Sequence, residues 1–175
     1  FTHVVQEFTD SDELWNKGAP IPADVTGDGL DDIVFAWYNP GLGLRIDTKI
    51  SNGDGTYTSQ SHQCPEGLEL WNRGTPMTGD VNGDGMEDII FAWYRSSAGL
   101  RITVKLSSGG GAFTSCAQQF SDSSELWNMC APVTADVNAD GKADIIFAWY
   151  NPGAGLRVDT KISNCLLYTS PSPRD

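Results

Sequence analysis

"DVNGDGMEDIIFAWY", residues 80–94, sets four acidic residues and two glycines in nine positions, then runs straight into apolar and aromatic residues. Near-copies start at Asp24 ("DVTGDGLDDIVFAWY") and at Asp136 ("DVNADGKADIIFAWY"), so the step is 56 residues each time. Other landmarks keep that step. "ELWN" places Trp15, Trp71 and Trp127, "GLR" places Arg45, Arg101 and Arg157, and "SNGDGTY" at 51–57 matches "SSGGGAF" at 107–113. A period held without a gap marks a structural repeat, a unit that buries its faces against its neighbours.

Within residues 19–64, "APIPAD" reads as a short extended segment and "VTGDGLD" as a tight loop. "DIVFAWY" is β-branched and aromatic, which favours a strand. Ile33, Phe35 and Trp37 share one face of it, and Val34, Ala36 and Tyr38 the other. Both faces are apolar, so both are covered. "NPGLG" is a turn, "LRIDTKIS" alternates, "NGDG" is a hairpin signal, and "TYTSQSHQ" is a last, more polar strand. Four antiparallel strands at a fixed period predict propeller blades. Helical solenoids would show an apolar period of 3.6, which is absent.

The expected fold is therefore all-β, a β-propeller of three four-stranded antiparallel blades forming a partial ring over residues 1–164. The blades span about 19–64, 75–120 and 131–164. Residues 1–8 align with 113–120 and read as the outer strand of a preceding blade. After Asn164 the third repeat departs from the first, and "CLLYTSPSPRD" back-translates into something like a transposase adapter used in sequencing libraries. Residues 165–175 are read as a non-native tail, and the chain as a fragment lacking its natural termini.

Net charge is −12, and 11 of the 23 acidic residues lie in the three nine-residue loops. Such local acidity argues against nucleic acid and for a cation. No stretch is long and apolar enough for membrane insertion. His3 and His62 do not recur, so zinc and His-based catalysis find no support. Cys64 stands where the other repeats have Phe8 and Phe120, which suits a small core residue. Cys116 and Cys130 have no pairing that sequence alone establishes.

In residues 80–88, the side chains of Asp80, Asn82, Asp84 and Asp88 at positions 1, 3, 5 and 9 can converge, with the Met86 carbonyl at position 7. Ca²⁺ takes six to eight oxygens in flexible geometry, and alternating carboxylates supply them. The other loops offer Asp24, Thr26, Asp28, Leu30 and Asp32, and Asp136, Asn138, Asp140, Lys142 and Asp144. An EF-hand is rejected, because position 12 is Phe91 and a strand follows. A plain Asp/Gly turn is the competing reading. Loop 1 has the weaker ligand Thr26, and loop 3 has Ala139 and Ala143 for Gly and an acid, so loop 2 is expected to bind best.

"DVNGDGMEDII" with the later "NGDGTY" resembles the FG-GAP, or VCBS, repeat family, the calcium-binding blades of integrin-α-like propellers. The resemblance implies one Ca²⁺ per acidic loop, up to three, and an extracellular or cell-surface location. That family spans enzymes, adhesion receptors, toxin components and lectins, so it constrains fold and metal more than function.

The calcium loop and the "NGDG" turn are expected at one end of each blade. The opposite end gathers Trp15, Asn16, Tyr38 and Arg45, with counterparts Trp71, Asn72, Tyr94 and Arg101, and Trp127, Asn128, Tyr150 and Arg157. Aromatic faces beside Asn and Arg suit a sugar. Propeller lectins of mushrooms resemble this arrangement and bind amino sugars between blades. The competing reading is packing: a Trp between blades, and Arg45 paired with Asp47. The functional expectation is a non-enzymatic, calcium-binding module recognising carbohydrate or a surface protein. The alternatives are a structural spacer in a larger surface or toxin protein and, third, part of a polysaccharide-active enzyme. Open blade edges also predict self-association.

Overall fold

A computed structural model describes residues 2–9, 19–39, 41–64, 75–95, 99–121 and 132–164. The described secondary structure consists of antiparallel strands, with no helix. The first sheet contains β1 (Pro20–Ala23), β2 (Asp32–Asn39), β3 (Gly43–Ser51) and β4 (Tyr57–Cys64) in sequence order. The second repeats it with β5 (Thr75–Gly79), β6 (Asp88–Arg95), β7 (Gly99–Ser107) and β8 (Phe113–Gln119). The third contains β9 (Val133–Ala135), β10 (Asp144–Asn151) and β11 (Gly155–Lys161). It has three described strands, and the residues after Asn164, where the sequence departs from the repeat, lie outside the described residues. These are blade-like sheets that do not close a ring.

The register repeats as faithfully as the sequence. Trp37 lies opposite Arg45, Trp93 opposite Arg101, and Trp149 opposite Arg157. Strand alternation then sorts β6 between two cores. Ile89, Phe91 and Trp93 pack toward the first sheet, against Val34, Ala36, Leu44 and Ile46. Ile90 and Ala92 pack the other way, with Leu100 and Ile102, against Ile145, Phe147 and Trp149 of the third sheet. Cys64 is buried in the first of these cores. His62 packs edge-on to Phe113 across the same boundary, ring centres 5.9 Å apart.

Polar contacts also repeat between sheets. The Thr78 hydroxyl donates to the Pro22 carbonyl, and the Thr134 hydroxyl to that of Thr78. Residues 2–9 form no strand. They lie against the first sheet, where Gln6 exchanges two hydrogen bonds with the backbone of Tyr57. The Phe8 ring sits 4.2 Å from Lys49 Nζ, as the Phe120 ring sits 4.8 Å from Lys161 Nζ.

Candidate functional site

Each acidic loop joins the first strand of a sheet to the second, and its first Asp organises it. The Asp80 carboxylate accepts from the N–H groups of Gly83 (2.6 Å), Gly85 (2.8 Å), Asn82 and Asp84 (both 3.2 Å). Asp24 accepts from Gly27, Asp28 and Gly29 and from the Thr26 hydroxyl. Asp136 repeats the second pattern with Asn138, Ala139, Asp140 and Gly141. Converging backbone donors hold the Asp24 and Asp136 carboxyls below the usual range. At Asp24 they outweigh burial, which alone would raise it, and at Asp136 the Gly141 N–H contributes most.

The last Asp of each loop is buried and ties the loop to its own sheet. Asp88 accepts from Val81 N–H (3.1 Å) and from Ser107 N–H (2.9 Å), at the far end of β7. Asp32 does the same with Val25 and Ser51, and Asp144 with Val137 and Ser163. Burial pushes the Asp88 carboxyl up to about 7. The charges of Asp84 and Asp80 add to this, and the two N–H groups offset part of it. Asp32 is raised for the same reason, burial first.

Asp28, Asp84 and Asp140 at position 5 are exposed, while Thr26 and Asn82 at position 3 are half-buried. Asp84 accepts from Met86 N–H and from the Asn82 amide, Nδ2 to Oδ2, at 2.8 Å. Asp140 and Asn138 match this at 3.1 Å, and Asp28 accepts from Leu30 N–H. All donors available to a cation are hard oxygens at alternating positions, which suits Ca²⁺ in kind. Among the described residues, however, no three or more His, Cys, Asp or Glu side chains are gathered into a metal-holding group.

The backbone explains the glycines. Gly83 and its counterpart Gly27 have φ of 78° and 75°, and Ala139 holds the same left-handed conformation at 61°. An L-residue there is strained by about 1–2 kcal/mol.

Position 8 turns out to serve the neighbouring blade. Glu87 donates its N–H to the Asp24 carbonyl (2.7 Å), and its carboxylate accepts from Asp24 N–H (3.1 Å). Burial raises its pKa, helped by the charges of Asp31, Asp24 and Asp80. Ala143 keeps the backbone bond, to the Asp80 carbonyl at 2.6 Å. A Cβ placed on Gly79 would fall 2.6 Å from that of Ala143, so the two sheets approach closely there. The loss of an acid at 143 therefore has a packing setting. Sequence reasoning missed this role, although position 8 falls outside the alternation 1, 3, 5, 7, 9.

At the opposite end, Trp15, Asn16, Trp71, Asn72, Trp127 and Asn128 lie outside the described residues. Tyr94 lies opposite Leu100 on β6. Tyr38 is half-buried and Tyr150 exposed. Arg45 makes an ion pair with Asp47 at 2.9 Å and donates to the Ser61 hydroxyl. Asp47 also accepts from Trp37 Nε1 at 2.6 Å and from the Ser61 hydroxyl. The guanidinium groups of Arg45, Arg101 and Arg157 lie 5.5, 5.8 and 5.1 Å from the ring centres of Trp37, Trp93 and Trp149. These three tryptophans were not among the sequence candidates. Their signal in the sequence was the constant separation of the Trp of "FAWY" from the Arg of "GLR" in all three repeats. Cys116 is half-buried on β8, and Cys130 lies outside the described residues.

Residues 80–147, from the second acidic loop into the third sheet, match the family described as FG-GAP-like repeat. No curated protein and no solved structure matches the chain. No helix among the described residues is long and apolar enough to cross a membrane.

Proposed function

We propose, from the premise that residues 80–147 are an FG-GAP-like repeat, that this chain is an extracellular or cell-surface module whose acidic loops bind Ca²⁺ and whose opposite end recognises carbohydrate or a surface protein. One observation carries the metal reading. All three loops bind their first Asp through the N–H groups of positions 4, 5 and 6, even where Ala139 replaces glycine at a cost in strain. In each, the Asp at position 5 is exposed, and the residue at position 3 is half-buried in loops 1 and 2 and exposed in loop 3. Asp80, Asn82, Asp84, Asp88 and the Met86 carbonyl would hold it in loop 2, with the equivalent residues in loops 1 and 3. The ion would supply positive charge among carboxylates that otherwise depend on backbone N–H groups. Weak loops of this kind suit the millimolar calcium found outside cells.

The test is thermal and chemical unfolding of the full chain in millimolar Ca²⁺ and in chelator. Binding to the folded state alone adds about 2.7 kcal/mol per site at a hundredfold excess over Kd. A cooperative transition indifferent to calcium would reduce the loops to self-satisfied turns and overturn the reading.

A spacer role is the second reading, favoured by Arg45, whose donors are taken up by Asp47 and Ser61. Recognition is favoured instead by Arg157, which lies exposed over the Trp149 ring and pairs with Asp159 at a longer 3.4 Å, and by the exposed Tyr150. A glycan array separates the two: sugar binding weakened by Arg157→Ala supports recognition, and an array without signal supports the spacer. An enzyme is the least favoured reading, because the carboxylates of the loops are engaged in holding backbone.

A further inference from the structure

The three Trp–Arg pairs share one register and differ in what meets the guanidinium. On the first sheet a carboxylate meets it. Asp47 lies two residues along β3 from Arg45, with oxygens 2.9 and 3.0 Å from the guanidinium nitrogens, and the Ser61 hydroxyl of β4 accepts a further bond at 2.9 Å. On the third sheet Asp159 stands in the same place, 3.4 Å from Arg157. One period from each, the second sheet has Thr103 for the Asp, and Ala117 for Ser61. Thr103 lies opposite Ala117 as Asp47 lies opposite Ser61, so the register is kept and the anion is gone. Among the described residues, Arg101 makes no ion pair and no side-chain hydrogen bond, and its guanidinium rests 5.8 Å from the Trp93 ring centre.

This difference does not come from an open edge. β7 is paired on both sides, with β6 and with β8, and the second sheet packs against the first on one face and the third on the other. Arg101 is half-buried there. A guanidinium is a permanently charged, planar fork of five donors, and a carboxylate meets two of them at once. A donor that is partly withdrawn from water gains more from such a partner than an exposed one does.

The ring beneath decides what kind of ligand can bring the carboxylate. Trp93 is 4% exposed and lies under the guanidinium, so it offers no open face for a sugar ring to stack on. A carboxylate on a slim, flexible stem needs no such face. The acidic loops do not repel it. Ser107, which Asp88 holds, is six positions along β7 from Arg101, about 20 Å at the rise of a strand. That exceeds about two Debye lengths at physiological ionic strength.

We propose that Arg101 is the docking point for an acidic side chain, Glu or Asp, of a protein partner, which supplies from outside the charge that Asp47 and Asp159 supply from within their own strands. The inference rests on the reading of this end of the blades as a recognition surface, and selects a protein over a sugar as what the second sheet binds.

The test is an NMR titration of the full chain, labelled with nitrogen-15 at arginine, near neutral pH, with each Nε–H signal assigned by Arg→Lys replacement. The probes are N-acetyl-glutamate methylamide, its glutamine counterpart and glucuronate. The Arg101 signal should shift saturably with the glutamyl probe, at half-saturation at least about tenfold lower than Arg45, whose fork is already engaged; this is the scale of one charge-assisted hydrogen bond. The glutamine probe should leave it unmoved. Thr103→Asp combined with Ala117→Ser rebuilds the first sheet's set around Arg101 and should abolish the response, while the unaltered chain decides the proposal by itself. Arg101 responding no more strongly than Arg45 overturns the proposal, as does an equal response to the glutamine probe. Glucuronate bound more tightly than the glutamyl probe overturns the assignment to a protein partner. Silence at Arg101 with a response at Arg157 overturns this inference alone, and silence at every arginine with all three probes removes the recognition reading as well.

Discussion

β7 and β11 begin alike, with "GLRIT" and "GLRVD", and occupy the same place in their sheets. Leu100 is nonetheless buried beneath the third sheet, while Leu156 faces outward. A strand's alternation decides which side chains share a face. It does not decide whether another sheet lies over that face. Position 8 teaches the same lesson: Glu87 reaches the preceding loop with backbone and carboxylate, and Ala143 with backbone alone.

The widest separation between the two strands should appear on truncation. Leu100→Ala is expected to cost about 2–5 kcal/mol, from lost burial and a cavity. Leu156→Ala, measured by urea unfolding at concentrations too low for assembly, should stay within about 0.5 kcal/mol. Similar costs for both would break the comparison.

Acid titration distinguishes the loops next. The Asp88 carboxyl is raised from 3.8 to about 7 in the folded chain, so its protonated form is favoured by folding. In chelator its stabilising contribution is full below pH 3.8 and is lost as pH rises toward about 7. The slope reaches at most about 1.4 kcal/mol per pH unit. Asp88→Asn should flatten that part of the pH profile, and calcium should oppose the trend, because a bound cation favours the ionised carboxylate.

A smaller pair of effects sharpens the comparison of loops 2 and 3. Ala139→Gly should stabilise the chain by about 1 kcal/mol by relieving the left-handed strain, and Gly83→Ala should destabilise it by about the same amount. Thermal melts in chelator read both. An effect of similar size is expected from Glu87→Ala, about 0.5–1.5 kcal/mol for the lost bond to Asp24 N–H. It would leave position 8 of the second loop as position 8 of the third already is, reaching the preceding loop with its backbone bond only.

The repeat period, the four-strand order and the two-sided apolar strand were all legible in the sequence. They rest on local chemistry: β-branched and aromatic runs make strands, and Gly-rich segments make turns. The pairing of Arg45 with Asp47 was legible too, from alternation along one strand. The loops were legible as oxygen-rich turns. That backbone N–H groups take up the first and last Asp depended on the path of the folded loop. Trp37 was legible as a strand residue, but its pairing with Arg45, like those of Trp93 with Arg101 and Trp149 with Arg157, depends on register across the sheet, which no single segment contains. The inward role of Glu87, the close approach of Gly79 to Ala143 and the bare face of β11 were decided by tertiary structure alone. Each depends on which sheet lies alongside, and sheets carrying nearly the same residues have different neighbours.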